Sequence, residues 1–276
     1  MLITDLILRP FLLVPIIDPH FQPIMAPPFS YHGQFDGVLM SSEEFAFGSG
    51  FDIHIRTTRV DNPYISYSYI SGAAVRVGND ILEVQDDGSV LVNGAEEFDD
   101  MDTADFGEYT ILKSLSGARR NIFIYDLAFP AEDMSIQIRA NTRNGLLFVD
   151  VFGTVPSDTV GLLGSPQHDA LFARDGKTDL TGEWNSFGEE WQVQSHELKL
   201  FSDKDRFPQH PVSCVYEASV ETAGLRRRHL MDTTRITPEA ANAACDGASE
   251  LKKQFCIDDV LAMSDAELAE DPFYNN

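Results

Sequence analysis

The sequence predicts an all-β protein, an antiparallel β-sandwich with a small C-terminal α-helical appendage. Three observations predict it. Apolar and polar residues alternate with period two across residues 31–193, turn-forming Gly, Asn and Asp punctuate those runs, and no helical pattern interrupts them before the composition shifts after Val193. Short strands with turn chemistry every ~10–15 residues mark sandwiches and barrels rather than α/β folds.

The elements follow in order. Phe51, Ile53 and Ile55 alternate with Asp52, His54 and Arg56, which predicts a strand with one buried face. Val75 and Val77 run into Gly78-Asn79-Asp80, and Ile81 to Val84 follow, which predicts strand, tight turn, strand. Asp86-Asp87-Gly88-Ser89 forms the next turn, before Val90 and Val92. Ile122 to Phe129 is β-branched and aromatic, Ile136 and Ile138 mark another strand, and Asn144-Gly145 signals a hairpin into Leu147, Val149 and Val151. The acidic stretch Glu96 to Asp102 reads as a solvated loop. Residues 194–235 have mixed charge, Pro208, Pro211 and the basic run Arg226-Arg227-Arg228, and read as a linker. Helix signals then appear over 236–276. Thr237 caps, Pro238 takes the first helical position and Glu239 the first turn, while Ser264-Asp265-Ala266-Glu267 is a capping box.

The 276 residues carry a formal net charge of -24 and 19 Phe. The length and apolar content support a real core rather than an acidic disordered tail. The charge repels phosphate and anionic lipid, which argues against a nucleic-acid partner and suits a cationic one. The apolar N-terminus, Met1 to Ile17, is broken by Asp5, Arg9 and Pro10. It is too interrupted for a transmembrane segment and lacks the basic start and small-residue cleavage site of a signal peptide. Two readings remain for it, a start truncated upstream or a strand packed on the core. The three cysteines, Cys214, Cys245 and Cys256, match no zinc pattern. Cys245 and Cys256 are placed to bridge two adjacent helices, which suits an oxidising compartment. Cys214 is then left free or available for an intermolecular disulfide.

Catalytic patterns are missing. Gly48-Ser49-Gly50 lacks the spacing of a nucleophile elbow, the His are scattered, and no phosphate-cradling Gly-rich loop occurs. Carboxylates abound, but with 44 of them a chance pair is expected, so a carboxylate-dependent hydrolase is the least favoured reading. Phe187, Trp191 and Phe201 suit either a sugar-stacking platform or the core, with Phe187 to Val193 read as the closing strand.

Four motifs stand in a specific order. They are Asp18-Pro19-His20-Phe21 continuing to Phe35-Asp36-Gly37, then Val92-Asn93-Gly94, then Gly161-Leu162-Leu163-Gly164, then Phe187-Gly188-Glu189-Glu190-Trp191-Gln192-Val193. Over residues 17–193 the chain resembles a von Willebrand factor type D domain. The resemblance implies a non-enzymatic, secreted or cell-surface module for adhesion, acting on a protein or extracellular-matrix partner. A carbohydrate- or lipid-binding module is the alternative. Type D domains often hold calcium beside the closing motif. Carried over residue by residue, Asp36 matches a usual ligand and Asp169 is the nearby carboxylate, while Ser165 and Gln167 replace expected Asn or Asp. That leaves a degraded site for weak calcium binding and implies no other cofactor. Leu163 replaces the cysteine of the closing motif. Some relatives also cleave themselves at Gly-Asp-Pro-His, which makes Asp18–Pro19 the cleavage candidate. Ile17 in place of the glycine favours the reading that Asp-Pro-His simply opens a strand.

Overall fold

The computed structural model describes residues 19–59, 68–98, 102–116, 121–203, 236–249 and 252–263, with Ala266 and Ala269. Asp18, Cys214, the Arg226–Arg228 run and most of the Ser264–Glu267 capping box lie outside these residues.

Among the described residues, thirteen strands form three antiparallel sheets. A short pair, β1 (His20–Phe21) and β2 (Phe29–Ser30), opens the fold. The six-stranded sheet is a meander of β3 (Asp36–Ser42), β4 (Phe51–Arg59), β5 (Ser68–Val77), β6 (Asp80–Gln85), β7 (Val90–Val92) and β8 (Ala95–Glu96). The five-stranded sheet is a second meander of β9 (Thr103–Phe106), β10 (Tyr109–Leu115), β11 (Ile122–Phe129), β12 (Met134–Asn141) and β13 (Leu146–Gly153). Ile53, Ile55, Val75 and Val84 from one sheet share a core with Tyr125, Leu127, Ile136, Val149 and Val151 from the other. The all-β sandwich expected from the alternation is therefore the architecture found.

The turn chemistry sets the registers. Val77 pairs with Asp80 across Gly78-Asn79, and Val92 pairs with Ala95 across Asn93-Gly94. Asn93 and Gly94 both have positive φ, 53° and 81°, which a two-residue hairpin of matching twist requires. Asp87 accepts the Ser89 N–H at 2.8 Å and closes the turn from β6 to β7.

Alternation names the two faces of a strand but not what covers the outer one. Leu147, Val149 and Val151 face the core, yet Leu146 and Phe148 on the opposite face are also buried. They pack against the C-terminal helices α2 (Pro238–Ala244) and α3 (Lys253–Met263) through Ala241, Cys245, Cys256 and Val260. Thr237 caps α2, its hydroxyl accepting the Ala240 N–H at 3.2 Å behind Pro238 at the first position, as expected. A disulfide joins Cys245 at the end of α2 to Cys256 in α3, with Cα atoms 5.9 Å apart. The Phe255 ring stacks on His20 at 4.0 Å, so the appendage also touches the opening strand.

Because this disulfide closes a loop of only 11 residues inside the appendage, its effect is local. Reduction is expected to cost about 2 kcal/mol there. Hydrogen exchange over 253–263 is expected to accelerate about 30-fold, with exchange in β11 and β12 unchanged. Equal acceleration in both regions would show that the helices and the sandwich unfold as one unit.

One expectation is overturned. Phe187 to Val193 is not a closing strand, because Trp184–Glu190 forms helix α1, and Gln192 contributes only an isolated bridge to Gly37. Trp184, Phe187, Gly188 and Trp191 fall at i, i+3, i+4 and i+7, which is a helical face. Phe187 and Gly188 are buried on it, with Trp184 packed against the core.

Candidate functional site

After β13 the chain leaves the sheets and runs along the edge of β3. Leu162 and Leu163 donate to the carbonyls of Val38 and Leu39 at 3.0 and 3.1 Å, and Ser41 and Val160 bridge. Gly161 makes this approach possible, since at φ 122° a Cβ would stand 2.7 Å from the Leu39 carbonyl oxygen. The Ile24 N–H reaches the Leu163 carbonyl at 2.9 Å. Beyond α1, Val193 donates to the Asp36 carbonyl at 2.7 Å and the Trp191 carbonyl accepts from Val38 at 2.8 Å. The Gln192 amide donates to the buried Tyr31 hydroxyl at 2.9 Å.

Between this edge and the segment 165–176 lies a cleft of about 410 Å³, lined by Thr159, Ser165, Gln167, His168, Arg174 and Trp191 among others. Asp158 is the one carboxylate in its described lining. That carboxylate accepts from Ser42 Oγ at 2.6 Å and from the Glu43 and Glu44 N–H groups at 2.7 and 2.9 Å. Burial pushes its pKa up, but those hydrogen bonds outweigh burial and hold it below the usual carboxylate value. Arg174 braces the cleft floor. Its guanidinium pairs with Glu197, donates to the Glu190 and Gln192 carbonyls at 2.8 and 3.0 Å, and lies over the Trp191 ring at 4.8 Å.

The sequence-predicted residues fall in different places. The Asp36 carboxylate receives two hydrogen bonds from Arg56, at 2.7 and 2.8 Å, on the outer face of the six-stranded sheet. Arg56 also stacks over the Phe201 ring at 4.2 Å. A calcium ion recruited by Asp36 would have to displace that guanidinium. Asp169 is exposed, and no group of three or more His, Cys, Asp or Glu side chains able to hold a metal occurs among the described residues. Pro19 is buried and its carbonyl accepts the Tyr31 N–H at 3.1 Å, while Asp18 lies outside the described residues. Phe187, Trp191 and Phe201 are 0, 5 and 2% exposed and belong to the packed interior rather than to a platform. Alternation does not reveal the buried charged layer of β4, because it assigns Asp52, His54 and Arg56 to an outer face without showing its cover. Leu200 and Phe201 supply part of that cover, packing on Ala74. Residues 194–203 therefore continue the fold past Val193.

Two buried histidines, His20 and His54, and the half-buried His32 are expected to give the fold a pH dependence. Burial, reinforced by His32, lowers His20 from 6.5 to about 3, and burial alone lowers His32 to about 4. Burial also lowers His54 to about 4, against the opposing pull of Asp52 and Glu197. A base whose pKa is depressed on folding takes up its proton when the chain unfolds. Its contribution is thus complete above pH 6.5 and is lost as pH falls toward the folded value. Unfolding free energy is expected to be flat above about pH 7 and to fall below it by about 1.4 kcal/mol per pH unit for each histidine that titrates. His54→Leu is expected to reduce that slope. Urea titrations between about pH 7 and 4.5 check it, and a slope of zero would mean that the histidines are not buried neutral.

No family model matches the chain, and no curated protein matches it. No helix among the described residues is long and apolar enough to cross a membrane.

Proposed function

We propose that the chain is a non-enzymatic, extracellular or cell-surface interaction module of the von Willebrand factor type D kind, recognising a protein or extracellular-matrix partner. The observation that carries this reading is the mutual bonding of the motif segments. The opening segment, the Phe-Asp-Gly strand, Gly161–Gly164 and Phe187–Val193 are hydrogen-bonded to one another along one edge, through Leu163, Val38, Asp36 and Tyr31. Three of the four segments that resemble the family's signature meet along this edge, and the fourth, Val92-Asn93-Gly94, forms the β7–β8 turn. The Cys245–Cys256 disulfide supports an oxidising compartment. Cys214, which lies outside the described residues, is the cysteine this reading assigns to a link with a second chain. Calcium is a weak ligand at most, because Arg56 already neutralises Asp36.

The test is biolayer interferometry of the immobilised chain against purified cell-surface ectodomains and matrix proteins. Saturable binding that weakens with salt and survives chelation of calcium is expected. Binding to none of them, together with turnover of an ester or glycoside, would replace the reading with a hydrolase.

The cleft favours one second reading, a small carbohydrate ligand. Its volume of about 410 Å³ fits a small-molecule site, and Ser165, Gln167 and His168 supply polar groups around it. A glycan array distinguishes this reading, because a sugar that binds wild type and not a Gln167→Ala variant would place the ligand in the cleft.

A further inference from the structure

The turn between β3 and β4 is built to hold one aromatic ring in water. In the sequence Phe45-Ala46-Phe47-Gly48, Phe45 is 2% exposed and Phe47 is 101% exposed. Phe45 packs against Phe51 and Phe129, with ring centroids 4.8 and 5.2 Å apart. Phe47 touches nothing comparable, and its backbone is left-handed, with φ 59° and ψ 34°, directly after Ala46 at φ 49° and ψ 53°. Two consecutive non-glycine residues in that region are strained, and such strain persists only where surrounding structure enforces it.

That enforcement is visible on both sides. Before the turn, Asp158 clamps Ser42, Glu43 and Glu44. After it, the Gly50 N–H reaches the Phe45 carbonyl at 3.2 Å, and the Gly50 carbonyl accepts from Gly78 at 3.1 Å. Arg76 ties Gly78 to Asp52 through bonds of 2.7 and 2.6 Å. The backbone beneath the ring is therefore fixed, and it holds the ring out from the surface. Aromatic side chains are enriched at interfaces, where they act as anchors once a partner's pocket desolvates them. Beside the ring lies a notch of about 280 Å³ lined by Ala46, Ser49, Gly78, Asp80, Glu108 and Tyr109. Asp80 and Glu108 give the notch its negative charge, and the exposed Glu43 and Glu44 stand just before the turn in the chain.

We propose that Phe47 and the adjoining Asp80–Glu108 notch form the docking surface for a protein whose apolar pocket is rimmed by Lys or Arg, Phe47 filling the pocket and a cationic side chain entering the notch. This inference rests on the interaction-module reading and names the surface and the partner's chemistry. Charge decides the occupant. A second copy of this chain also carries -24, and an anionic bilayer repels the same rim.

The test uses the full chain and a defined surrogate for the partner. The surrogate is a helical-hairpin peptide whose two adjacent leucine stripes leave an apolar groove rimmed by lysines; its control has glutamates in place of the lysines. Wild type is expected to bind the lysine peptide and not the glutamate peptide. Phe47→Asn keeps a residue that tolerates the left-handed backbone, so its melting temperature is expected to be unchanged or higher, while its affinity falls about tenfold or more. Asp80→Asn with Glu108→Gln is expected to weaken binding about threefold and to reduce its salt dependence. Equal affinity of Phe47→Asn and wild type would overturn the proposal, because attraction to net charge alone would explain the binding. Absence of binding would overturn it too. Phosphatidylcholine vesicles that bind wild type but not Phe47→Asn would assign the ring to a lipid surface instead. The ectodomain and matrix panel separates the two claims. A partner there that binds Phe47→Asn as well as wild type leaves the module reading intact and removes this surface. A lysine peptide that needs Phe47, with no partner in the panel, does the reverse.

Discussion

Gly188→Ala is expected to destabilise the protein by about 3 kcal/mol or more. A Cβ on Gly188 would lie 2.3 Å from Tyr31 Cγ and 2.4 and 2.5 Å from the two adjacent ring carbons. These atoms are at the root of a fully buried ring, which cannot swing aside as the tip of a flexible chain would. The ring is also held edge-on to Phe35 at 5.0 Å and through its hydroxyl to Gln192. To admit one methyl group, α1 must lift from the sandwich, and the bonds from Val38 and Val193 go with it. Urea denaturation reads the loss, and the matched control is Gly176→Ala, where a Cβ would meet nothing within 4 Å. Gly176 has φ 64°, so the control carries conformational strain without overlap, and about 1 kcal/mol is expected. Equal losses at the two positions would mean that the Tyr31 ring yields to the added methyl group, because Gly188 lies in a helix and has no positive φ for a side chain to strain.

Arg56→Ala is expected to cost about 3 kcal/mol at neutral pH, because it leaves the Asp36 carboxylate largely buried without its cation. The two side chains are 10 and 12% exposed, so water replaces little of the lost interaction. Phe201 loses the stacked guanidinium, and the Asp203 carbonyl loses a donor at 3.1 Å. Replacing both partners, Arg56→Met with Asp36→Leu, is expected to recover most of the loss, since two apolar groups leave no stranded charge. A double-mutant cycle measures the difference. If the double variant is as unstable as Arg56→Ala alone, the pair is not the source of the effect and the lost packing on Phe201 is.

Both predictions concern places where the sequence is legible only in part. The strands are readable because β4 and β12 alternate cleanly, β13 keeps Leu147, Val149 and Val151 in alternation, and the turns carry Gly, Asn and Asp at positions that demand them. The Thr237 cap and the Cys245–Cys256 pairing were readable because capping and disulfide chemistry are local. The helix at Trp184–Glu190 was hidden by a likeness. Read from Phe187 to Val193 the segment resembles a family strand, and only extending the window back to Trp184 exposes the i, i+3, i+4, i+7 face. The motif around Asp36 suggests a metal ligand. Its true partner follows from strand register, in which Asp36 faces Arg56 across the β3–β4 ladder. Which phenylalanine of Phe45-Ala46-Phe47 points outward is decided by backbone conformation, and composition carries no trace of it.

The bonding of the opening segment to the closing one also sets the order of events during synthesis. Each meander pairs neighbours in sequence, so its hairpins can form as they leave the ribosome. Tyr31 and Gln192 are 161 residues apart. At about 5–20 residues per second, the first strands wait roughly ten to thirty seconds for the segment that covers their edge. Throughout that interval β3 presents an open row of backbone donors and acceptors, and a chaperone that shields strand edges has its longest opportunity there.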